Sequence, residues 1–281
     1  MYDTRRSWFG SFGALATTAA LVASAHFAQP GHASPRHDPT GQPTPSAGVI
    51  TLQDDSPAQA HTGKVGVARS AIALRYTFDG GANRPITDVR GRYLLRPHAQ
   101  NGGTISLVPQ GKGLAVRYPN RCTMVREKEC PRAILEGYRD DNLNPGTRSL
   151  RYGASILMTH SDLADGANVF QKGYSVGGGS QFKLQVDHQQ GHPSCVVAGR
   201  AHIYRAEPRI DVADGRWHHL VCARTANRLT LKVDGVERAS VPVPKKLSIA
   251  NAAPLRVGGK GANKGNDQFA GQIDNVFLTI Q

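Results

Sequence analysis

The chain has 281 residues, enough for one or two domains, and its 34 Lys and Arg against 21 Asp and Glu give a net charge of +13. A basic balance of this kind favours acidic partners such as acidic glycans, cell-wall phosphate polymers or nucleic acid. The basic residues are scattered rather than clustered, which argues against a nucleic-acid site. Beyond Ala25 no apolar stretch approaches the roughly 20 residues that a transmembrane segment needs.

The N-terminus has the pattern of an export signal. Arg5-Arg6 precede an apolar, Ala-rich run over 13–25, and Ala23-Ser24-Ala25 fits a small-x-small cleavage site. The paired arginines resemble a twin-arginine signal, and an ordinary secretory signal fits equally. We therefore predict a signal peptide over 1–25, with cleavage as late as 33, and a secreted, extracellular protein.

Residues 26–69 differ from the rest in composition, being rich in Pro, Gly, Ser, Thr, Ala and His. Such a stretch cannot bury enough apolar surface to order itself. We predict a disordered linker over 26–69, followed by one folded domain over 70–281.

The four cysteines, Cys122, Cys130, Cys195 and Cys222, fit an oxidising compartment. Four cysteines allow three pairings. We favour Cys122–Cys130 and Cys195–Cys222, because each pair is close in sequence or falls on strands that could be adjacent. The spacing of close Cys/His pairs that binds zinc is missing from the sequence.

From Ser70 onward the chain shows the two-residue period of half-buried strands. Ile72, Leu74, Tyr76 and Phe78 alternate with more polar or smaller neighbours. Similar alternation recurs, mostly between clusters of Gly, Asn, Asp or Pro, at 104–108, 114–118, 152–158, 181–186, 195–197, 217–223, 229–233, 255–257 and 273–280. About a dozen short strands, with one weak helical signal at 159–164, predict an all-β sandwich or jelly roll.

Three motifs near the C-terminus carry a resemblance to a known family. They read Gly215-Arg216-Trp217-His218-His219-Leu220, then Leu229-Thr230-Leu231-Lys232-Val233-Asp234-Gly235, and then Gly271-Gln272-Ile273-Asp274-Asn275-Val276. Their order and spacing resemble the laminin G-like, pentraxin-type branch of the concanavalin A-like lectin/glucanase superfamily. The resemblance implies a two-sheet antiparallel jelly-roll sandwich over 70–281. The cysteine loop at 120–131 departs from the general pattern and resembles a subfamily insertion of secreted actinobacterial proteins.

Catalytic motifs are missing from the sequence. Glucanases on this fold carry Glu-x-Asp-x-x-Glu or a close variant on one strand, with carboxylates about 5 Å apart for retention. Glu127, Glu129 and Glu136 are instead assigned to the cysteine insertion among basic residues, where we expect a salt-bridged, disulfide-closed surface loop. Gly173-Tyr174-Ser175-Val176-Gly177 has the spacing of a Gly-x-Ser-x-Gly elbow, but no helix is predicted after it, and the elbow requires a strand-to-helix turn.

The Trp217-His218-His219 sequence has a structural interpretation. Successive side chains of a strand point to opposite faces, so His218 and His219 cannot chelate one metal ion together. Trp217 is interpreted as a core anchor.

The resemblance also implies a structural calcium ion, which prefers six to eight oxygen ligands. In several branches of the superfamily the first and last strands lie side by side, and an Asp of each approaches the other. The matching positions are Asp79 and Asp274, and Asp88 with backbone carbonyls of the turn at 88–91 could complete the shell. Alternatively, Asp79 and Asp274 accept backbone N–H groups or pair with arginine. We expect no other cofactor.

The ligand-binding residues are not identified by any motif. Polar loops at 162–168, 177–180, 187–192 and 260–267 are candidates, and Arg256, Lys260 and Lys264 would favour an acidic ligand unless they form a solvated basic face. An aromatic content of 6% argues against a long sugar-stacking groove.

We therefore predict a secreted, non-catalytic binding module for an extracellular glycan or protein, which would be acidic if the basic residues take part, and no nucleic-acid partner. Two alternatives stay open. One is a glycan-cleaving enzyme on the same fold without the usual motif, and the other is a cell-envelope structural or interaction domain with no sugar ligand.

Overall fold

The computed structural model describes residues 70–281, apart from residues 83, 164–165, 177–178, 188 and 201. The predicted signal peptide and linker lie outside the described residues. Within these residues the helical elements are short 3₁₀ turns, at Glu127–Glu129, Asp141–Leu143 and His160–Asp162. None of the helices in this part of the chain has the length and apolar character that crossing a membrane requires.

Antiparallel strands make up most of the domain. In chain order they are β1 (Ile72–Tyr76), β2 (Ile86–Thr87), β3 (Leu94–Gln100), β4 (Ser106–Gln110), β5 (Gly113–Arg117), β6 (Arg132–Gly137), β7 (Leu150–Thr159), β8 (Ala167–Gly173), β9 (Gln181–Val186), β10 (Pro193–Ala198), β11 (Ile203–Ala206), β12 (Asp214–Arg224), β13 (Arg228–Val233), β14 (Val236–Pro242), β15 (Leu255–Val257) and β16 (Gln272–Ile280).

These strands form two sheets of eight strands each over the described residues, which confirms the predicted jelly-roll sandwich. Sheet A has the order β14-β13-β12-β7-β16-β5-β4, with β1 also paired to β16. Sheet B has the order β11-β10-β9-β8-β15-β6-β3-β2. The alternation read from the sequence places one side chain in two on the inner faces, where they form a single apolar core.

Tyr152 of β7 ties the two sheets together inside this core. Its ring packs against Phe170 and Phe182 of sheet B, with centroids 6.4 and 5.1 Å away. Its hydroxyl lies 3.1 and 3.0 Å from the backbone carbonyl oxygens of Lys183 and Val196, also in sheet B. A buried hydroxyl needs such partners, because burial without a hydrogen bond is costly.

The last strand, β16, lies in the middle of sheet A and changes its partner halfway along. On one side its beginning pairs with β5 and its end with β1. On the other side it pairs with β7, with a register shift between Asp274 and Phe277. Asn275 has a φ of 51°, so one extra residue bulges from the strand here.

The bulge decides which side chains of β16 enter the core. Along a regular strand, residues an odd number apart point to opposite faces. Ile273 and Val276 are three residues apart, yet both are completely buried in the core, as is Leu278. One extra residue between Ile273 and Val276 makes this possible, and it leaves Phe277 facing away from the core.

Both predicted disulfides are confirmed. Cys122–Cys130 closes the insertion at 120–131. Cys195 lies on β10 of sheet B and Cys222 on β12 of sheet A, so their bond crosses the core. The pairing is as predicted, but the two strands belong to opposite sheets rather than being neighbours in one sheet.

Some strands lack the alternation from which strands are read in a sequence. All seven residues of β8 are buried, and the strand is paired along both edges, with β9 and with β15. Strand β3 contains Pro97, which faces β6 on one side while the pairing with β2 has already ended at Leu95. An open strand edge tolerates a residue without an N–H group.

Removing the core disulfide should cost more stability than removing the disulfide of the insertion. The bonded cysteines are 27 and 8 residues apart, for which the loop-entropy model gives about 3.5 and about 2.5 kcal/mol. We expect the free energy of unfolding of the double variant Cys195→Ala/Cys222→Ala to fall by at least about 3.5 kcal/mol, because both cysteines are fully buried. Urea unfolding of this variant and of Cys122→Ala/Cys130→Ala measures both losses, and a larger loss in the second variant would contradict the prediction.

Candidate functional site

The outer face of sheet A, opposite the core, carries an open cavity of about 530 Å³. It extends across β1, β16, β7 and β12 and is bordered by the turn after β2. The side chains that matter for its chemistry are Arg75, Arg90, Arg151, Ser155, His219, Asn275 and Phe277. They come from distant parts of the sequence, and the strand pairing brings them together.

Phe277 forms the floor of this cavity. Directly opposite it on β7 is Gly153, and a Cβ atom there would lie only 2.8 Å from the Phe277 ring. The glycine therefore leaves the space that the ring fills. The imidazole of His219 lies at 25° to the ring with its centroid 6.1 Å away, and the Arg151 guanidinium lies 5.0 Å from the ring centroid. The result is an aromatic surface flanked by hydrogen-bonding and cationic groups.

Three arginines give the cavity a positive potential. Arg75 lies opposite Phe277 on β1 and donates a hydrogen bond to the side-chain oxygen of Asn275. Among the described residues, no ion pair within 4.0 Å involves Arg75, Arg90 or Arg151. None of the described residues that line the cavity is Asp or Glu. Cationic groups that share a concave surface without counter-charges attract anions.

The basic residues singled out from the sequence have a different environment. Arg256 pairs with Glu136 at 2.6 Å, Lys260 with Asp267 at 2.7 Å and Lys264 with Glu127 at 3.1 Å. Each of these cations has an acidic partner within the domain. Glu136 lies on β6 rather than in the disulfide loop, whereas Glu127 belongs to a salt-bridged loop as expected.

His219 and Ser155 form the closest approach to a nucleophile–base pair in the cavity, with 3.2 Å between Ser155 Oγ and His219 Nδ1. Burial lowers the pKa of His219, and the guanidinium of Arg151 lowers it further. An activated nucleophile usually has a third group that orients its base. Here the imidazole is flanked by Phe277 and Arg151, and Asp234 accepts the backbone N–H of His219 at 2.7 Å instead of orienting its ring. The pair is therefore suited to donating and accepting hydrogen bonds.

The neighbouring His218 faces the other way, as predicted. Its Nδ1 lies 2.8 Å from Asp234 Oδ2, and its Nε2 lies 3.0 Å from Asp214 Oδ1. Burial opposes the charged ring, but these two hydrogen-bonded carboxylates outweigh it and raise the pKa of His218. His218 thus links the motif around Trp217 to the Asp234-Gly235 turn. The prediction for Trp217 is wrong, because this side chain is only half-buried and lies outside the core.

The structure brings Asp79 and Asp274 together, because β1 and β16 are paired and Asp79 follows β1. Burial raises the pKa of Asp274 to about 6, and the charge of Asp79 adds to the shift. The Asp274 carboxylate accepts hydrogen bonds of 2.6 and 2.7 Å from the backbone and side chain of Asn275. A buried carboxylate beside a second carboxylate is a donor set that fits a divalent cation.

Asp88 has a different role from the other two. Its Oδ1 accepts the N–H groups of Arg92 and Tyr93 at 2.6 and 2.8 Å, and its Oδ2 accepts that of Arg90 at 3.3 Å. Both oxygens therefore stabilise the turn after β2. Asp79 Oδ1 likewise accepts the Leu114 N–H at 2.8 Å, so each of the three carboxylates has a hydrogen-bond donor within the domain. The calcium site stays a prediction.

Replacing Asp274 with Asn should stabilise the domain at neutral pH when divalent cations are removed. The pKa of Asp274 is raised from 3.8 to about 6, so between these values the folded state binds more protons than the unfolded state. The carboxylate therefore reduces stability as the pH rises through this window, by up to about 3 kcal/mol. We expect urea unfolding in the presence of chelator to give Asp274→Asn a higher free energy of unfolding than the unmodified protein, with a larger difference at pH 7.5 than at pH 4.5. The same difference at both pH values would rule out this explanation.

Comparison with known proteins supports the fold. A laminin G family model, described as Concanavalin A-like lectin/glucanases superfamily, matches residues 154–278. A sequence search of curated proteins gives no match.

Several solved structures share the architecture. The binding domain of Paraclostridial Mosquitocidal Protein 1 aligns with a TM-score of 0.52 at 13% identity, over 73% of this chain and 48% of that one. Domain 4 of AbnA, a GH43 extracellular arabinanase from Geobacillus stearothermophilus in complex with arabinotriose, aligns with a TM-score of 0.52 at 18% identity, over 74% and 91%. The binding domain of botulinum neurotoxin DC in complex with rat synaptotagmin II aligns with a TM-score of 0.52 at 12% identity, over 73% and 47%.

The chain spans about half the length of the two toxin binding domains, and identities this low show the fold alone. Together with the family model they confirm the resemblance read from the three C-terminal motifs. The resemblance to the concanavalin A-like lectin/glucanases superfamily is thus supported by the family model over residues 154–278 of this chain.

Proposed function

We propose that the domain is a secreted, non-catalytic binding module, and that it binds an acidic extracellular glycan through the cavity on the outer face of sheet A. The observation that carries this proposal is the set of three arginines around Phe277, none of which forms an ion pair within 4.0 Å with a described residue. Guanidinium groups recognise carboxylates and sulfates through paired hydrogen bonds. An aromatic ring beside them offers a surface for the apolar face of a sugar.

Related folds support a binding role without identifying the ligand. Domain 4 of the arabinanase was solved with arabinotriose, and the neurotoxin domain with synaptotagmin II. A sugar and a protein are thus both ligands of similar sandwiches. For this chain the arginines favour an acidic ligand, and Phe277 favours a glycan over a protein.

The side chains of the cavity argue for binding rather than cleavage. Glycoside hydrolysis uses a pair of carboxyl groups beside the scissile bond, and the lining of this cavity includes no Asp or Glu within the described part of the chain. Asp274 is only 4% exposed and is hydrogen-bonded to Asn275, so it is not positioned for a substrate.

A glycan array with the purified full chain tests the proposal. We expect binding to uronate-containing or sulfated glycans that weakens as salt is added. Arg151→Ala should weaken binding about tenfold or more, because hydrogen bonds to charged groups contribute about 1.5–3 kcal/mol. The matched control is Arg238→Ala, which removes an exposed arginine from β14 in the same sheet. If both variants lost the same amount of glycan affinity, or if the unmodified protein bound no glycan, the proposed glycan binding would be rejected. The alternative of a cell-envelope interaction domain without a sugar ligand would then remain.

We further propose that Asp79 and Asp274 hold a structural calcium ion. Both are oxygen donors of the kind Ca²⁺ prefers, and neutralising the buried carboxylate would stabilise the fold. We expect added calcium to raise the thermal midpoint of the unmodified protein relative to chelator, with a much smaller rise in Asp79→Asn. An unchanged midpoint in the unmodified protein would refute the calcium site.

A further inference from the structure

At one end of sheet B, three side chains with metal-binding atoms meet. Asp187 directly follows β9, His192 directly precedes β10, and Glu207 directly follows β11. These strands are antiparallel neighbours, with Val186 opposite Pro193 and Cys195 opposite Ala206, so the three residues lie at the same end of the sheet. One ligand atom from each lies within 4.8 Å of the other two.

The orientation of Asp187 is fixed by the backbone of its own loop. Its Oδ1 accepts the N–H groups of Gln189, Gln190 and Gly191 at 3.0, 2.8 and 3.0 Å. The other oxygen, Oδ2, points to His192 and lies 3.4 Å from its Nδ1. In metal sites, a carboxylate held by hydrogen bonds in this manner presents its remaining oxygen to the ion.

The loop itself is held in place from both sides. The Asp187 N–H donates to the His192 carbonyl at 2.9 Å, which closes the hairpin, and Val212 N–H donates to the Gly191 carbonyl at 3.0 Å. Gly191 has a φ of 70°, and a Cβ atom on it would lie 2.9 Å from the Cβ of Ala213. A loop anchored in this way keeps Asp187 and His192 in a fixed relation.

The spacing agrees with metal coordination. When a nitrogen and an oxygen each lie about 2.0–2.2 Å from a tetrahedral zinc ion, the two ligand atoms are about 3.3–3.5 Å apart. The separation of 3.4 Å between His192 Nδ1 and Asp187 Oδ2 falls in that range. Glu207 is the adjustable member, since it lies on the surface and contacts Arg205 through one oxygen, Oε2, at 3.2 Å.

We propose that Asp187, His192 and Glu207 bind Zn²⁺ or a similar first-row transition metal ion. An imidazole nitrogen with two carboxylates suits zinc and its neighbours, whereas calcium prefers oxygen ligands alone. Three protein ligands leave a coordination position for water. The ion would fasten the ends of β9, β10 and β11 to one another. This site lies on sheet B and is independent of the cavity on sheet A.

Isothermal titration of the tag-free full chain with zinc chloride tests the proposal. We expect one site that His192→Ala and Glu207→Gln each weaken about tenfold or more, the scale of effects at metal sites. His98→Ala is the matched control, because His98 pairs with Glu136 at 3.9 Å on β3 and β6 of the same sheet but belongs to no three-ligand group among the described residues. Glu207→Gln leaves the backbone hydrogen bonds of the loop intact, so it keeps the test valid if His192→Ala misfolds.

Two further readouts distinguish a coordinated ion from loose surface binding. Co²⁺ substitution should give the intense visible absorption of a four-coordinate ion, and zinc should raise the thermal midpoint of the unmodified protein and of His98→Ala more than that of Glu207→Gln. The proposal is wrong if no zinc binds below 1 mM (roughly the limit of a specific site), if Glu207→Gln binds zinc as tightly as the unmodified protein, or if His98→Ala loses as much affinity.

Discussion

The extra residue at Asn275 in β16 is the constraint on which much of the domain depends. It lets Ile273 and Val276 both enter the core, and it falls where the partner of β16 changes from β5 to β1. The same bulge leaves Asp274 beside Asp79 and turns Phe277 outward over Gly153. The core, the acidic pair and the floor of the cavity are thus set by one local irregularity. Loss of that residue would move every later side chain of the strand to the other face.

Much of the fold could be predicted, because most strands have one buried and one exposed face. The boundaries of β9 and β15 agree with the alternation, and the hairpin at Asp234-Gly235 is present between β13 and β14. The all-buried strand β8 gave no such signal, because its polar side chains are buried as well, with Asn168 bonded to Gln171 and Lys172 bonded to Asn144. Strand β3 was not predicted because it contains Pro97, and proline is tolerated there because only β6 pairs with the strand at this residue.

Less of the candidate site could be predicted, because its residues are gathered by pairing between distant strands. Arg75, Arg151 and Phe277 belong to no common motif, and their lack of acidic partners depends on the placement of every carboxylate in the domain. Lys260 and Lys264 look equally basic in the sequence, yet each is paired. One residue in the sequence did indicate the cavity. Gly153 is a glycine inside a strand pattern, and such a glycine indicates that another group approaches the backbone closely.

The pairing of β1 with β16 places Ile72 directly opposite Ile280, so the two ends of the domain leave the sheet side by side. A pulling force applied at these two points would act across the strands rather than along them. The backbone hydrogen bonds between β1 and β16 would then open one after another, as in a zipper, instead of resisting together in shear. The disulfide between Cys195 and Cys222 lies outside this pair of strands, so the two sheets would stay joined after β1 had peeled away.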